Sequence, residues 1–183
     1  MQTRETAIAG LAVADTDLVS DHRGAFSRYY CSRELAPCLG ERRILQINFS
    51  LTRAVGALRG LHFQYPPHAE LKCVRCIRGR VWDVALDIRR GSSTFLQWHA
   101  EELSAENRRM MIIPEGFAHG FQVLEENSEL LYLHSTSYAP ETEGRINPLD
   151  EKLAIGWPLE VAAMSERDRS HPMLEDEFKG VIL

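Results

Sequence analysis

Residues 71–88, LKCVRCIRGRVWDVALDI, decide how the chain folds. The CVRC at 73–76 has the spacing of a redox or zinc motif. Its surroundings argue against that. Val74, Ile77, Val81, Val84 and Ile88 are β-branched, Trp82 is aromatic, and Arg78-Gly79 interrupts the run, so the stretch reads as two extended segments about a turn. In a strand, residues i and i+3 point to opposite faces, roughly 10 Å apart at about 3.3 Å per residue. Cys73 and Cys76 therefore cannot share a metal or a disulfide. With Cys31 and Cys38 they read as structural thiols of a reducing compartment.

The same pattern extends in both directions. RRILQINFS (42–50), LRGLHFQ (58–64), FLQWHAEEL (95–103), RMMIIP (109–114), HGFQVL (119–124) and ELLYLHSTSY (129–138) are short and rich in β-branched, aromatic and other apolar residues. Turn signals separate them: DHRG (21–24), RRGSS (89–93), PEG (114–116), EENS (125–128) and INPLD (146–150). Strands at this spacing predict an all-β sandwich or barrel. Helix is expected only in SRELAPCLG (32–40) and in parts of the tail after Trp157. There is no internal repeat or linker, so residues 1–183 read as one domain.

Composition excludes several classes. Hydrophobic residues are 44% and charged residues 26%, as in an ordinary globular chain. No apolar run reaches the ~20 residues of a membrane helix, and the first residues lack a signal-peptide layout. A cytoplasmic protein without membrane contact is expected. The net charge of −5 argues against nucleic acid as partner. A small anionic ligand remains possible, because it answers to local arginines.

Strand parity adds geometry. Lys72, Val74 and Cys76 share one face; Gly60, His62 and Gln64 share another; Leu130, Tyr132 and His134 share a third. Parity permits His62, Lys72 and Tyr132 to meet in a barrel mouth. It equally permits three unrelated positions, with the Tyr132 hydroxyl at the rim and Lys72 in solvent.

PEGFAHGF (114–121) has the P-x-G-x-x-H layout of the second motif of cupin barrels. The first such motif supplies H-x-H and a glutamate to a metal. Here HFQ places Gln64 where the second histidine would stand, and Glu70 is followed by Lys72, whose ammonium has no lone pair and repels an ion. A metal cage built on His62 and His119 is degraded, and no metal is expected.

Longer segments are more specific. GALRGLHFQYPPHAELKCVRCIRGRVWDVALDIRRGSSTF (56–95) and ELSAENRRMMIIPEGFAHGFQVLEENSELLYLHSTSYAP (102–140) closely resemble the dTDP-4-dehydrorhamnose 3,5-epimerase family. So do DHRGAF (21–26) and the MSERDRSHPML near the C-terminus, and the resemblance covers roughly residues 17–175. It implies a cupin-type jelly-roll β-barrel with short helices at the periphery and C-terminus, acting as a homodimer without cofactor or metal. It also implies inversion of C3, C5 or both in a nucleotide-linked 4-keto-6-deoxyhexose. His62 matches the family's base and Asp168 the aspartate that orients it. Lys72 matches the lysine near the enolate oxygen, and Tyr132 the proton donor on the opposite face. Arg59 and His119 match positions near the diphosphate. Arg23 and Phe26 match the segment that reaches the nucleotide, either within one chain or from the partner subunit. Gln46, Asn48, Asp83 and Tyr138 are further substrate-binding candidates.

Departures cluster at the rim. Arg28 stands where glutamate is usual; Ile47 and Phe49 where aspartate and histidine are; Leu133, His134 and Ser137 where lysine, threonine and tyrosine are. Gly144, Arg145, Pro148 and Leu149 replace an Arg-Gly order and a Trp-Asn pair. A guanidinium cannot accept the N–H of a thymine imide. Either dTDP is retained despite drift, or another nucleotide or keto-sugar is used. Weaker thymidine diphosphate binding than in a standard member is the expectation. Two functions of other classes stay open: a metal-dependent cupin isomerase or dioxygenase, and a non-catalytic sugar-nucleotide binding protein.

Overall fold

The computed structural model describes residues 1–183. The chain begins with β1 (Gln2–Glu5), β2 (Ala12–Asp15), the hairpin β3 (Leu18–Asp21) and β4 (Gly24–Ser27), and a short helix α1 (Ala36–Leu39). There follow β5 (Gln46–Thr52), β6 (Leu58–Gln64), β7 (Lys72–Arg78), β8 (Arg80–Asp87) and β9 (Trp98–Ser104). The last strands are β10 (Met110–Ile113), β11 (Phe117–Val123), β12 (Ser128–His134) and β13 (Glu143–Arg145), and α2 (Glu166–Arg169) comes near the end.

One sheet has the order β1-β2-β10-β7-β12-β5 and the other β13-β6-β11-β8-β9. Neighbouring strands run antiparallel. This is a cupin-like jelly roll. Its strands carry near-continuous apolar runs because both faces are covered. Between the sheets lie Val74, Cys76, Met111 and Leu130 from one and Val81, Ala85, Phe117 and Phe121 from the other. Outside the six-stranded sheet, Cys73, Met110, Ile112 and Leu133 pack under Leu35 and the α1 residue Leu39. Outside the five-stranded sheet, Leu61, Phe63, Leu86 and Ala118 pack under Ile146, Leu153, Leu174 and Val181. Cys73 and Cys76 thus serve different cores on opposite faces of β7. Burial raises each thiol to about 12, so both are inert apolar side chains at neutral pH.

Several boundaries differ from expectation. The segment 42–50 becomes a strand only at Gln46, because Arg42 leaves to donate to Glu115 Oε2 at 2.9 Å and to the Leu39 carbonyl at 3.0 Å. The segment 95–103 enters its sheet only at Trp98, and β11 starts two residues before His119. Strands β1, β2, β3, β4 and β13 were not legible. β1, β3 and β4 have little or no buried face, so burial imposes no alternation on them; β2 is buried but has only four residues, and β13 only three.

Along the inter-sheet space the lining changes character. At one end the inward positions are Cys76, Val81, Val123 and Leu130. Toward the other, the same faces present Lys72, His62, Gln64, Tyr132 and His134. Strands β7 and β12 are antiparallel, with His134 opposite Lys72, so the start of one and the end of the other reach the same mouth.

Candidate active site

That mouth is a cavity of about 270 Å³ lined by both sheets. From the five-stranded sheet come Arg59, His62 and His119; from the six-stranded sheet come Asn48, Lys72, Tyr132 and His134. Backbone chemistry sets the aim of the histidines. His62 and His119 are direct register partners on β6 and β11, and the register shifts just beyond them. Gly60 sits at that shift with φ +119°, and a Cβ there would meet Gly120 Cα at 2.6 Å and the His119 carbonyl at 2.8 Å. Only glycine allows the two strands to approach this closely.

His62 is the half-buried group of a hydrogen-bonded pair. Its Nε2 lies 2.9 Å from Asp168 Oδ1, and the backbone N–H of Gly60 donates to Asp168 Oδ2 at 3.3 Å. Asp168 lies in α2, whose first turn is capped by Ser165: Oγ accepts from Asp168 N at 3.0 Å. Burial by itself would raise the Asp168 pKa, but the hydrogen bond and charge of His62 and the Gly60 N–H hold it below the usual carboxylate range. The ionised carboxylate only accepts, so His62 carries its proton on Nε2 and leaves Nδ1 as its basic atom. The His171 ring packs edge-on to His62 with centroids 5.1 Å apart.

Tyr132 projects from β12, its hydroxyl 3.0 Å from Ser50 Oγ. Burial, chiefly, pushes its phenol above the ordinary value, so it holds its proton at neutral pH. Lys72 is buried, its Nζ 2.8 Å from Glu70 Oε1, while Glu70 Oε2 is 2.7 Å from His134 Nδ1. Burial alone would raise the Glu70 pKa; Lys72 and His134 instead bring it to about 2. Arg59 donates to Thr52 Oγ1 at 3.3 Å and lies over the Phe121 ring.

The sequence-derived candidates therefore divide. His62, Lys72, Tyr132, Arg59, His119, Asn48 and Tyr138 line one cavity, and Asp168 stands behind His62. Lys72 is not in solvent. Asp83 is not a cavity residue: it has no exposed surface and sits behind His119, whose Nε2 is 2.8 Å from its Oδ1. Gln46 stands one step back, donating to Asn48 Oδ1 at 3.1 Å and accepting from Tyr138 N at 3.1 Å. Arg23 and Phe26 lie on the exposed β3–β4 hairpin and are not part of this cavity in the single chain. Arg28 pairs with Glu34. Gln64 is structural, with Oε1 accepting from Ala139 N at 2.7 Å and Nε2 donating to the His68 carbonyl at 3.0 Å.

Sequence reasoning missed Glu70 and His134, although parity had put His134 on the Tyr132 face. It also missed Glu143, whose carboxylate at the rim takes Tyr138 Oη at 3.2 Å and pairs with Arg145 and Arg167. Nothing in three residues of strand announces such a cluster.

A metal does not fit these groups well. In the cupin manner His62 and His119 would be ligands through their remaining ring nitrogens, but Gln64 is committed elsewhere and the Lys72 ammonium lines the same cavity, so the set lacks a third donor and carries a cation instead. His62, Asp168 and His171 bring ligand atoms within 4.8 Å of one another. However, Arg59 and Arg167 line the same recess as His62 and Asp168, which puts cations where an ion would lie.

Known proteins share the sequence and fold that carry this site. A curated dTDP-4-dehydrorhamnose 3,5-epimerase of Pseudomonas aeruginosa is 44% identical over 178 residues, covering 96% of this chain and 97% of that one. The Elizabethkingia anophelis enzyme of that name superposes with a TM-score of 0.90 at 36% identity, covering 97% and 98% of the two chains. A Legionella pneumophila dTDP-6-deoxy-D-glucose-3,5-epimerase, solved in complex with dTDP-4-keto-L-rhamnose, gives a TM-score of 0.88 at 39% identity, covering 94% and 92%. Residues 5–176, the jelly roll together with the α2 aspartate behind His62, match the dTDP-4-dehydrorhamnose 3,5-epimerase family, and the chain belongs to it.

Proposed function

We propose that the chain inverts C3, C5 or both of a nucleotide-linked 4-keto-6-deoxyhexose, as a dTDP-4-dehydrorhamnose 3,5-epimerase does. The observation that carries this reading is that His62 and Tyr132 enter one cavity from opposing sheets, with Lys72 on the Tyr132 side. A ketone at C4 acidifies the hydrogens on C3 and C5. His62 Nδ1 takes one of them, and the electron pair moves to the carbonyl oxygen as an enolate. The Lys72 ammonium stabilises that oxygen. Tyr132 then gives its proton to the carbon from the other side, which inverts the centre. Asp168 stabilises the imidazolium that His62 becomes. Arg59 suits the diphosphate, with His119 beside it, while Asn48 and Tyr138 lie toward the nucleotide and sugar. Mere binding needs no acid facing a base, so a purely non-catalytic role fits less well, and no metal takes part.

A homodimer completes the picture. Strand β5 lies at a sheet edge and exposes Ile47, Phe49 and Leu51, and the hairpin exposes Val19 and Phe26. A second copy on these surfaces would bring Arg23 and Phe26 of one protomer toward the mouth of the other. Residues 1–183 act as one domain in this reading. Four free cysteines suit the cytoplasm, and no helix is long and apolar enough to cross a membrane.

The test is solvent-deuterium incorporation into dTDP-4-keto-L-rhamnose at C3 and C5. Exchange should be present in the native chain and lost in His62→Ala and His62→Asn; full exchange in both variants removes His62 as the base. Calorimetry with dTDP, CDP, UDP and GDP tests the nucleotide, and a high-affinity dTDP preference would show that Arg28 does not weaken thymine recognition.

A further inference from the structure

The cavity's six-stranded wall carries an unbroken hydrogen-bond chain whose direction is fixed from both ends. At the rim, the backbone N–H of Tyr138 donates to Gln46 Oε1 at 3.1 Å. A backbone N–H can only donate, so that Gln46 atom is the oxygen. Gln46 Nε2 then donates to Asn48 Oδ1 at 3.1 Å. Asn48 Nδ2, a donor only, faces His134 Nε2 at 3.4 Å. At the other end Lys72 Nζ, again a donor only, holds Glu70 Oε1 at 2.8 Å, and the second oxygen of that carboxylate meets His134 Nδ1 at 2.7 Å. Every donor has an acceptor under one assignment of His134: hydrogen on Nδ1, lone pair on Nε2.

We infer that His134 is a positioning residue for the proposed epimerase, held as its Nδ1–H tautomer so that it couples the Lys72–Glu70 pair to the Asn48–Gln46–Tyr138 rim. The inference rests on the epimerase reading only for its kinetic consequences. Glu70 stays ionised, at about 2, throughout the working range. The groups facing the His134 ring are Glu70, Lys72, Asn48 and the Tyr132 phenol, whose ring stacks on it at 6.1 Å. A second proton on His134 would leave its bond to Glu70 intact but turn Nε2 into a donor opposite the Asn48 donor. Asn48 must then turn, Gln46 follows, and Tyr138 N loses its acceptor. The Lys72 end would survive and the rim end would fail, so the rim depends on the lone pair of His134 Nε2.

Glutamine can supply one donor and one acceptor without titrating; leucine supplies neither. His134→Leu is expected to lower kcat/KM for dTDP-4-keto-L-rhamnose by up to about 100-fold. His134→Gln should recover most of that loss. Independently of activity, ring nitrogen NMR of the native protein should show His134 protonated on Nδ1 and bare on Nε2. A hydrogen on Nε2, a Leu variant as active as the native chain, or a Gln variant no better than the Leu one overturns the inference. A native chain with the expected tautomer but no deuterium exchange would instead sink the epimerase reading and leave the hydrogen-bond assignment standing.

Discussion

Replacing Asp168 by asparagine tests the base through its partner while hardly changing volume. The carboxylate has two oxygens for two donors: His62 Nε2–H at 2.9 Å and Gly60 N–H at 3.3 Å. The amide has one oxygen, so one donor must lose. If the oxygen stays with His62, the amide NH₂ opposes the Gly60 N–H in a buried setting, which costs about 1–3 kcal/mol of stability. His62 keeps its tautomer but loses the negative charge beside the developing imidazolium; a charged hydrogen bond of about 1.5–3 kcal/mol corresponds to about 10- to 150-fold in rate. If the oxygen turns to Gly60, His62 must accept at Nε2 and carry its hydrogen on Nδ1. The basic atom is then occupied, and the rate falls toward about 10⁴-fold, as for a wrong tautomer in a catalytic triad. The assay is deuterium wash-in at saturating keto-sugar across pH, paired with urea unfolding. The first orientation gives a less stable chain with a moderate rate loss; the second gives near-native stability with a severe one. A rate within tenfold of native and unchanged stability would refute the reasoning and leave Asp168 as a fastener of α2.

Three further outcomes are expected. Tyr132→Phe should retain deuterium exchange, because His62 can return a proton to the face it came from, but inversion should fall about 10²- to 10⁴-fold; product NMR at native inversion rates would exclude the phenol as donor. Glu70→Gln should cost on the order of 3 kcal/mol at pH 7, from a carboxylate depressed from 4.5 to about 2. Because the folded pKa is the lower one, this contribution is complete above the ordinary value and disappears as pH falls through the folded one; a urea ΔG difference that does not narrow between about pH 4.5 and 2 contradicts the assignment. Gly60→Ala should lose roughly 3 kcal/mol from crowding and a positive φ, with a midpoint loss under about 1 kcal/mol showing that β6 and β11 can separate.

The fold was legible where burial imposed a pattern over a long strand, whereas β2, buried but only four residues long, escaped. Strands β6, β7, β8 and β12 are covered on both faces or line the cavity, and their runs of Val, Ile, Leu and Phe marked them. The hairpin β3–β4 is exposed, so its residues answer to nothing within this chain. Parity grouped His62, Lys72 and Tyr132 each with its face-mates, since a period of two survives any uncertainty in strand ends, but it left open whether those faces meet. It could not say whether Lys72 met water or a carboxylate, because Glu70 lies just outside β7, where no strand periodicity applies. His134 shared the Tyr132 face from the start, but its meaning depends on Asn48 and Glu70, which are far apart in sequence and adjacent only across strands.

Two histidine–aspartate pairs face each other across the β6–β11 register, and their burial separates their work. The His62 side chain is 34% exposed and can reach a substrate, whereas that of His119 is 7% exposed and its partner Asp83 is fully enclosed. Asp83 is therefore a source of field instead of a ligand. One of its oxygens meets His119 and the other has no hydrogen-bond partner, leaving a buried charge near Tyr132. Burial is the main reason the phenol keeps its proton, and the Asp83 charge works in the same direction. A tyrosine that resists ionisation keeps a proton to donate, and a histidine whose Nε2–H is held by Asp168 has Nδ1 free to accept one. In the proposed epimerisation the same pairing of residue types thus serves a base on one strand and, through the neighbouring strand, an acid opposite it.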